Sequence, residues 1–314
     1  MTTPPPAIDI LQLGPWAAAG LETALAPRFR LLPLWQEVDE ARDAYLAACA
    51  HSVRVVMTHT NALPTTRALI DHLPRLEVIV NLGSGSESVD MAAARERGIP
   101  VLSGAGANAL DVAELAIGLM LAAGRGIVEG DGHVRANRWP RGRLPLTRRV
   151  SGKKLGILGM GAIGLNVARM AAGFDMAISY CSRRQVADVA YAYEPDLLRL
   201  ATNVDFLIVA IPGGTDTHHL VNEAVLAALG PKGCLVNVAR GTVVDEAALI
   251  RLLRDGCLGS AALDVFEFEP AVPDALRHAN NVVLQAHRGG STFEAMRSVV
   301  EHAVANLDRH FSSR

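Results

Sequence analysis

Residues 155–164 read LGILGMGAIG, and no other stretch of the chain limits its fold as tightly. An aliphatic run leads in, three glycines follow at the spacing G-x-G-x-x-G, and a helix-like segment, IGLNVARMAA, leads out. Gly159 permits the tight turn, Gly161 lets backbone approach a pyrophosphate, and Gly164 lets the helix pack closely on the strand. The helix N-terminus then turns its unpaired N–H groups and positive dipole end toward the phosphates. In a chain with 28 glycines the spacing alone is weak. Its place between a strand pattern and a helix pattern favours a dinucleotide turn over a structural glycine turn.

Such a turn belongs to a parallel sheet with helical crossovers, and the rest of the sequence alternates accordingly. IDILQL, FRLLPL, VRVVMT, LEVIVN and IPVLS are strand-like runs in the first third, with helix-like segments between them. A second series runs through GKKLGILGM, DMAISYCS, VDFLIVAI, GCLVNVA, SAALDVF and NNVVLQAH. Between the series NALDVAELAIGLMLAAGRG predicts one long apolar helix, capped by Asn108 or Asp111 and buried between domains or subunits. The last segment, STFEAMRSVVEHAVANLDRHF, predicts a helix that crosses back to the first domain. At 314 residues the chain has room for two domains.

The overall charge of −2 at pH 7 gives no global basic field, so nothing points to nucleic acid or an anionic membrane. LAIGLMLAA is too short to span a bilayer, and MTTPPPAIDI lacks the pattern of a signal peptide, so a cytoplasmic protein is expected. Cys49, Cys181, Cys234 and Cys257 are scattered, with no pair at metal-ligand spacing, and no metal is expected. A G-x-S-x-G elbow is absent, which disfavours a hydrolase.

An NAD-binding fold usually carries an acidic residue about twenty positions beyond the glycines, on the ribose hydroxyls. Here the second strand runs into Ser182, Arg183 and Arg184, and no acid is present. An acid would repel a 2′-phosphate, whereas a serine hydroxyl and an arginine fork would bind one. NADPH is therefore the expected cofactor, although arginine is this chain's default cation and a solvated pair is the plain alternative. Three further strands run into polar residues: Arg240 after LVNVA, Asp264 and Glu269 in ALDVFEFEP, and His287 in VVLQAHRGGST. An arginine, a carboxylate and a histidine past the strand ends suit reduction of a 2-keto acid. That reaction needs a cation for the carboxylate and keto oxygen, and an acid for the new alkoxide.

With these segments in view, the chain resembles the D-isomer-specific 2-hydroxyacid dehydrogenases. The resemblance rests on GMGAIG, NVARGTVVDEAAL, GSAALDVFEFEP, AHRGGST and DVAELAIGLMLA. SRR, ANRW and DVAYAYEPD are similar to the NADPH-dependent glyoxylate/hydroxypyruvate and hydroxyphenylpyruvate reductases within that family. It implies two doubly wound α/β domains with parallel sheets. A flavodoxin-like substrate domain would be formed by residues 1–106 and 290–314, and a Rossmann-type dinucleotide-binding domain by 107–289. It implies Arg240, Glu269 and His287 as catalytic residues. The implied cofactor set is Gly159, Met160, Gly161, Ala162, Ile163, Gly164, Ser182, Arg183, Arg184, Ile211, Pro212, Thr217, Val238, Ala239, Arg240, Asp264, His287 and Gly289. Substrate would meet Arg240, His287, the loop Leu82, Gly83, Ser84 and Gly85, and Trp139, an aromatic that reaches a neighbouring subunit in related dimers. A homodimer acting on a small 2-keto acid is the implied assembly. Thr58, His59, Asn61, Ser84 and Arg288 would make a polar pocket, for hydroxypyruvate or glyoxylate or for a larger acid such as 2-ketogluconate. A dinucleotide-sensing, corepressor-like scaffold is the non-catalytic alternative. The chain departs from the family at Ala286, where proline is usual, and in its serine-rich substrate loop.

Overall fold

The structure is a computed structural model and describes residues 7–15, 20–60, 62–83 and 85–312. The chain divides into two compact units, one taking in Met1–Asn108 and Ser291–Arg314, the other Ala109–Gly290.

In the first unit the elements are β1 (Ile8–Gln12), α1 (Leu21–Leu25), β2 (Phe29–Pro33), α2 (Asp39–Cys49), β3 (Val53–Thr58), α3 (Arg67–His72), β4 (Val78–Asn81), α4 (Met91–Glu96) and β5 (Val101–Ser103). The strands form a parallel sheet in the order β2-β1-β3-β4-β5, the flavodoxin-like arrangement. Both faces are covered, so the strands read as near-continuous apolar runs. Leu11, Val53, Val56 and Ile79 enter one core, while Ile10, Val55, Val78 and Val80 enter the other. Thr66 and Asp90 cap α3 and α4, each side chain accepting an N–H from the first turn.

The second unit runs through α5 (Ala109–Arg125), α6 (Ile127–Arg135), β6 (Lys154–Leu158), α7 (Ala162–Ala172), β7 (Ala177–Cys181), β8 (Ala192–Tyr193), α8 (Leu197–Thr202) and β9 (Phe206–Val209). It continues through α9 (Glu223–Leu229), β10 (Cys234–Asn237), α10 (Glu246–Arg254), β11 (Ser260–Leu263), α11 (Asp274–Arg277) and β12 (Val282–Leu284). Its parallel sheet has the order β12-β11-β10-β9-β6-β7-β8, and the winding reverses beside β6. Ligands of such sheets bind past the carboxyl ends of the strands at that reversal. The chain then returns to the first unit as α12 (Phe293–Ser312), whose Val299, Val300, Ala303 and Leu307 share a core with Ile10, Val55 and Val78.

The long apolar helix forms over the stretch the sequence marks for it, as α5. It ends at Gly126, which adopts a left-handed conformation (φ +60°), and α6 follows as a separate short helix. Asn108 stands immediately before α5, and Asp111 lies within its first turn. Ala113, Ala116 and Met120 pack with Leu155, Ile157 and Val236, so this face of α5 is buried inside its own unit. The two-residue edge strand β8 was not anticipated. Among the described residues no helix is long and apolar enough to cross a membrane.

Candidate active site

Three consecutive strands of the second unit, β10, β11 and β12, deliver the candidate residues. β10 ends in Asn237, which is 1% exposed. Its Oδ1 accepts from Ala239 N at 3.0 Å and its Nδ2 donates to Arg240 O at 3.0 Å, closing the turn that carries Arg240. Arg240 is half-buried, and its Nη1 donates to Ala239 O at 2.8 Å. The next residue, Gly241, lies against backbone: a Cβ there would stand 1.9 Å from the carbonyl carbon of Phe266. No other residue allows the Arg240 turn and the loop after β11 to approach so closely.

Asp264, beyond β11, is 1% exposed. Its carboxylate accepts from Arg288 N at 2.7 Å and Gly289 N at 2.9 Å, and its carbonyl accepts from His287 N at 2.8 Å. His287 has φ +49°, a left-handed conformation that costs a non-glycine residue energy, and these three hydrogen bonds over-determine it. Burial raises the Asp264 pKa above its ordinary value, and the two N–H donors only partly offset this. The family resemblance implies that Asp264 belongs to the cofactor set. Its contacts here make it the clamp of the His287 segment.

Glu269 and His287 are brought together. Glu269 Oε1 accepts from Phe266 N at 3.0 Å, which aims Oε2 at His287 Nδ1, 2.6 Å away. The side chains are 31% and 39% exposed, so water has access to the pair. The hydrogen bond to Glu269 raises the His287 pKa above its ordinary value, against opposition from burial and from the Arg240 charge. Burial lifts the Glu269 carboxyl, but the bonds from His287 and Phe266 outweigh it and the pKa falls below the ordinary carboxylate value. With Nδ1 engaged by Glu269, Nε2 is the nitrogen left to exchange a proton.

The glycine turn has the shape its spacing demands. Gly159 has φ +100°, and a Cβ there would stand 2.5 Å from Ala210 O. At Gly164 a Cβ would stand 2.0 Å from Gly159 O, whereas at Gly161 it would meet nothing within 4 Å. Gly161 also precedes α7 with no side-chain cap, so the first N–H groups of the helix face that open space. This is the surroundings a pyrophosphate needs. Met160, Val238 and Ala239 are buried, and the Ala239 N–H and carbonyl are already engaged by Asn237 and Arg240. Ala162 and Ile163 form the first turn of α7, and Ile211 and Pro212 follow β9, where Thr217 Oγ1 donates to Pro212 O at 2.9 Å. Gly289 packs against Asp264.

Past β7, Ser182 Oγ donates to Arg184 O at 2.6 Å, and Tyr193 Oη donates to Ser182 O at 3.1 Å. The serine therefore shapes the turn. Arg183 and Arg184 are exposed. Among the described residues neither has a carboxylate within ion-pair distance. A cleft of about 560 Å³ opens along the segment 185–190 that follows.

In the first unit Leu82 is 2% exposed and its N donates to Thr58 O at 2.8 Å. The buried Asn81 donates through Nδ2 to Gly85 O, and its Oδ1 accepts from Gly83 N at 3.3 Å. Ser84 and Asn61 lie outside the described residues. Thr58 is 1% exposed. Burial pushes the His59 imidazole pKa down, against a hydrogen bond with the Pro15 backbone. Arg288 belongs to the second unit and is exposed, as is Trp139, which is 64% exposed. Sequence reasoning missed Asn81, Asn237 and Gly241. The available signal was an asparagine closing an apolar strand, in VIVN and again in LVN.

Residues 117–289 match the family described as D-isomer specific 2-hydroxyacid dehydrogenase, NAD binding domain. The chain is 42% identical to a hydroxyphenylpyruvate reductase of Plectranthus scutellarioides, over 98% of this chain and 97% of that protein. The chain belongs to the D-isomer specific 2-hydroxyacid dehydrogenases. This dehydrogenase is also 41% identical to glyoxylate/hydroxypyruvate reductase A of Arabidopsis thaliana, over 98% of this chain and 97% of that one. Among solved structures it is similar to the NADPH-dependent glyoxylate/hydroxypyruvate reductase of Sinorhizobium meliloti in complex with NADP and malonate. The TM-score is 0.87 and the identity 35%, with 97% of this chain and 93% of that chain covered. The stretch that matches the family takes in the glycine turn, Arg240, Asp264, Glu269 and His287.

Proposed function

We propose that this dehydrogenase uses NADPH to reduce a small 2-keto acid, hydroxypyruvate or glyoxylate, to the D-2-hydroxy acid. The observation that carries this reading is the 2.6 Å pairing of Glu269 with His287 past a strand end of the dinucleotide sheet. The N–H groups at the start of α7 and the open face of Gly161 would hold the pyrophosphate, and Arg183 and Arg184 the 2′-phosphate. When bound, NADPH supplies the hydride. Arg240 binds the substrate carboxylate and polarises the keto oxygen with its planar fork. His287 donates the proton that the new alkoxide takes up, through Nε2, and Glu269 holds the ring in place and favours its charged form. Asp264 fixes the main chain on which His287 stands.

The working form is proposed to be a homodimer. Leu110, Ile127, Val128, Val134 and Trp139 are large apolar side chains exposed along one segment of the second unit, and a second copy is the occupant we assign to them. A cytoplasmic location is proposed because the four cysteines are free thiols. The test is a panel of 2-keto acids assayed with NADPH and with NADH. The highest kcat/KM is expected for NADPH with hydroxypyruvate or glyoxylate. Absence of turnover with every acid would leave the non-catalytic scaffold reading in its place.

A further inference from the structure

Two adjacent histidines and a glutamate that take no part in the proposed chemistry meet on the second unit. His218 and His219 follow the short turn Thr215–Thr217, in the segment joining β9 to α9. Glu267 lies in the connection from β11 to α11, two residues before Glu269. His219 Nε2 and Glu267 Oε1 are 2.9 Å apart. The His218 ring stacks on His219 with centroids 3.9 Å apart and planes inclined by 24°. One ligand atom from each of the three residues lies within 4.8 Å of the others.

We infer that His218, His219 and Glu267 form a binding site for a single divalent ion of the zinc class. Two imidazoles and one carboxylate are a borderline N,N,O donor set, which suits zinc, nickel or copper and not magnesium or calcium. Bonds of about 2.0–2.2 Å put tetrahedral donors roughly 3.4 Å apart, so the ligand atoms need close by no more than about 1.5 Å. Side-chain rotation supplies that movement, because the main chain is already fixed. His219 N donates to Thr242 O at 2.8 Å and Val221 N to Val243 O at 3.0 Å. Glu267 N donates to the carboxylate of the buried Glu246 at 3.2 Å. His218 is exposed, so the fourth position faces solvent and takes water. A hydrogen bond alone accounts for His219 and Glu267, whereas a metal site draws on all three residues. The bound ion ties the segment after β9 to the loop that carries Glu269.

The test is calorimetric titration of tag-free, chelator-stripped and dialysed protein with zinc chloride, without substrate or nucleotide. One equivalent is expected to bind with a micromolar or tighter Kd. His218→Ala, His219→Ala and Glu267→Gln are each expected to weaken it by roughly tenfold or more. His302→Ala, an exposed histidine on α12, is expected to change nothing. Thermal melts report whether each variant is folded, and His218→Ala removes only an exposed ring. The visible absorption of the cobalt-loaded wild type gives a second readout, with an intense band expected from four-coordinate nitrogen and oxygen ligation. No saturable binding to the wild type, or binding that survives undiminished in the His218→Ala/His219→Ala double variant, would overturn the inference.

Discussion

Gly241→Ala perturbs the candidate site while leaving every named side chain in place. The added Cβ would stand 1.9 Å from Phe266 C, 2.0 Å from Phe266 O and 2.3 Å from Glu267 N. Ordinary contact begins near 3.4 Å, so the Arg240 turn and the loop after β11 must part by roughly 1.5 Å. Backbone lies on both sides, and no rotamer change relieves the clash. Overpacking of this kind costs about 1–3 kcal/mol. In a domain of about 150–250 residues each kcal/mol lowers Tm by about 2–4 °C. Arg240 sits immediately before the glycine and Glu269 three residues beyond Phe266, so parting the loops separates the guanidinium from the histidine–carboxylate pair. A misplacement of about 1 Å costs about a hundredfold in rate. The assay is steady-state reduction of hydroxypyruvate with NADPH, together with calorimetric Tm and a fluorescence titration of NADPH. The expected result is kcat/KM down about a hundredfold with NADPH affinity falling far less, since the pyrophosphate turn at 159–164 is elsewhere. Gly118→Ala is the control, because its Cβ meets nothing within 4 Å. A folded Gly241→Ala protein with unaltered kcat would refute the claim that this contact sets the geometry of the site.

Three other changes probe the remaining contacts. Reduction needs the imidazolium form of His287, and Glu269 raises that pKa, so reduction should decline as pH rises through the raised value. Glu269→Gln should move the falling limb of the pH–rate profile to lower pH, and an unmoved limb would refute the pairing as the cause. Arg183→Ala should raise KM for NADPH roughly ten- to hundredfold and leave NADH unaffected, nearer the lower figure because the side chain is exposed; equal loss with both nucleotides would remove Arg183 from the phosphate site. Asn237→Ala strips the acceptor from Ala239 N and the donor from Arg240 O, which should cost about 1–3 kcal/mol in a denaturant melt and lower kcat through Arg240; an unchanged kcat would remove Asn237 from the support of the site.

The architecture was legible because its signals are local. An aliphatic run, G-x-G-x-x-G and an apolar helix pattern are contiguous, and the two strand series show their burial directly in composition. The end of α5 at Gly126 was legible, but α6 after it was not, because IVEGDGHVR holds two glycines and few apolar residues. β8 has only two residues and therefore no periodicity to read. In the candidate site, the polar residues at strand ends were visible, but their contacts join segments distant in the chain. Gly241 against Phe266, Asn237 beneath Arg240, and His219 facing Glu267 from 48 residues away have no signature in spacing.

Asn81 and Asn237 end strands in different sheets, and each grips the main chain of the turn that follows with both ends of its amide. The path of each turn is thereby written into the strand terminus and not into the residues of the turn itself. Side chains carried on the segment that follows Asn81 can then vary without loss of that anchor, because the grip belongs to the strand-end asparagine. For an engineer, this separates two properties that loops usually confound: contour is inherited from the sheet, while chemical character remains open to selection.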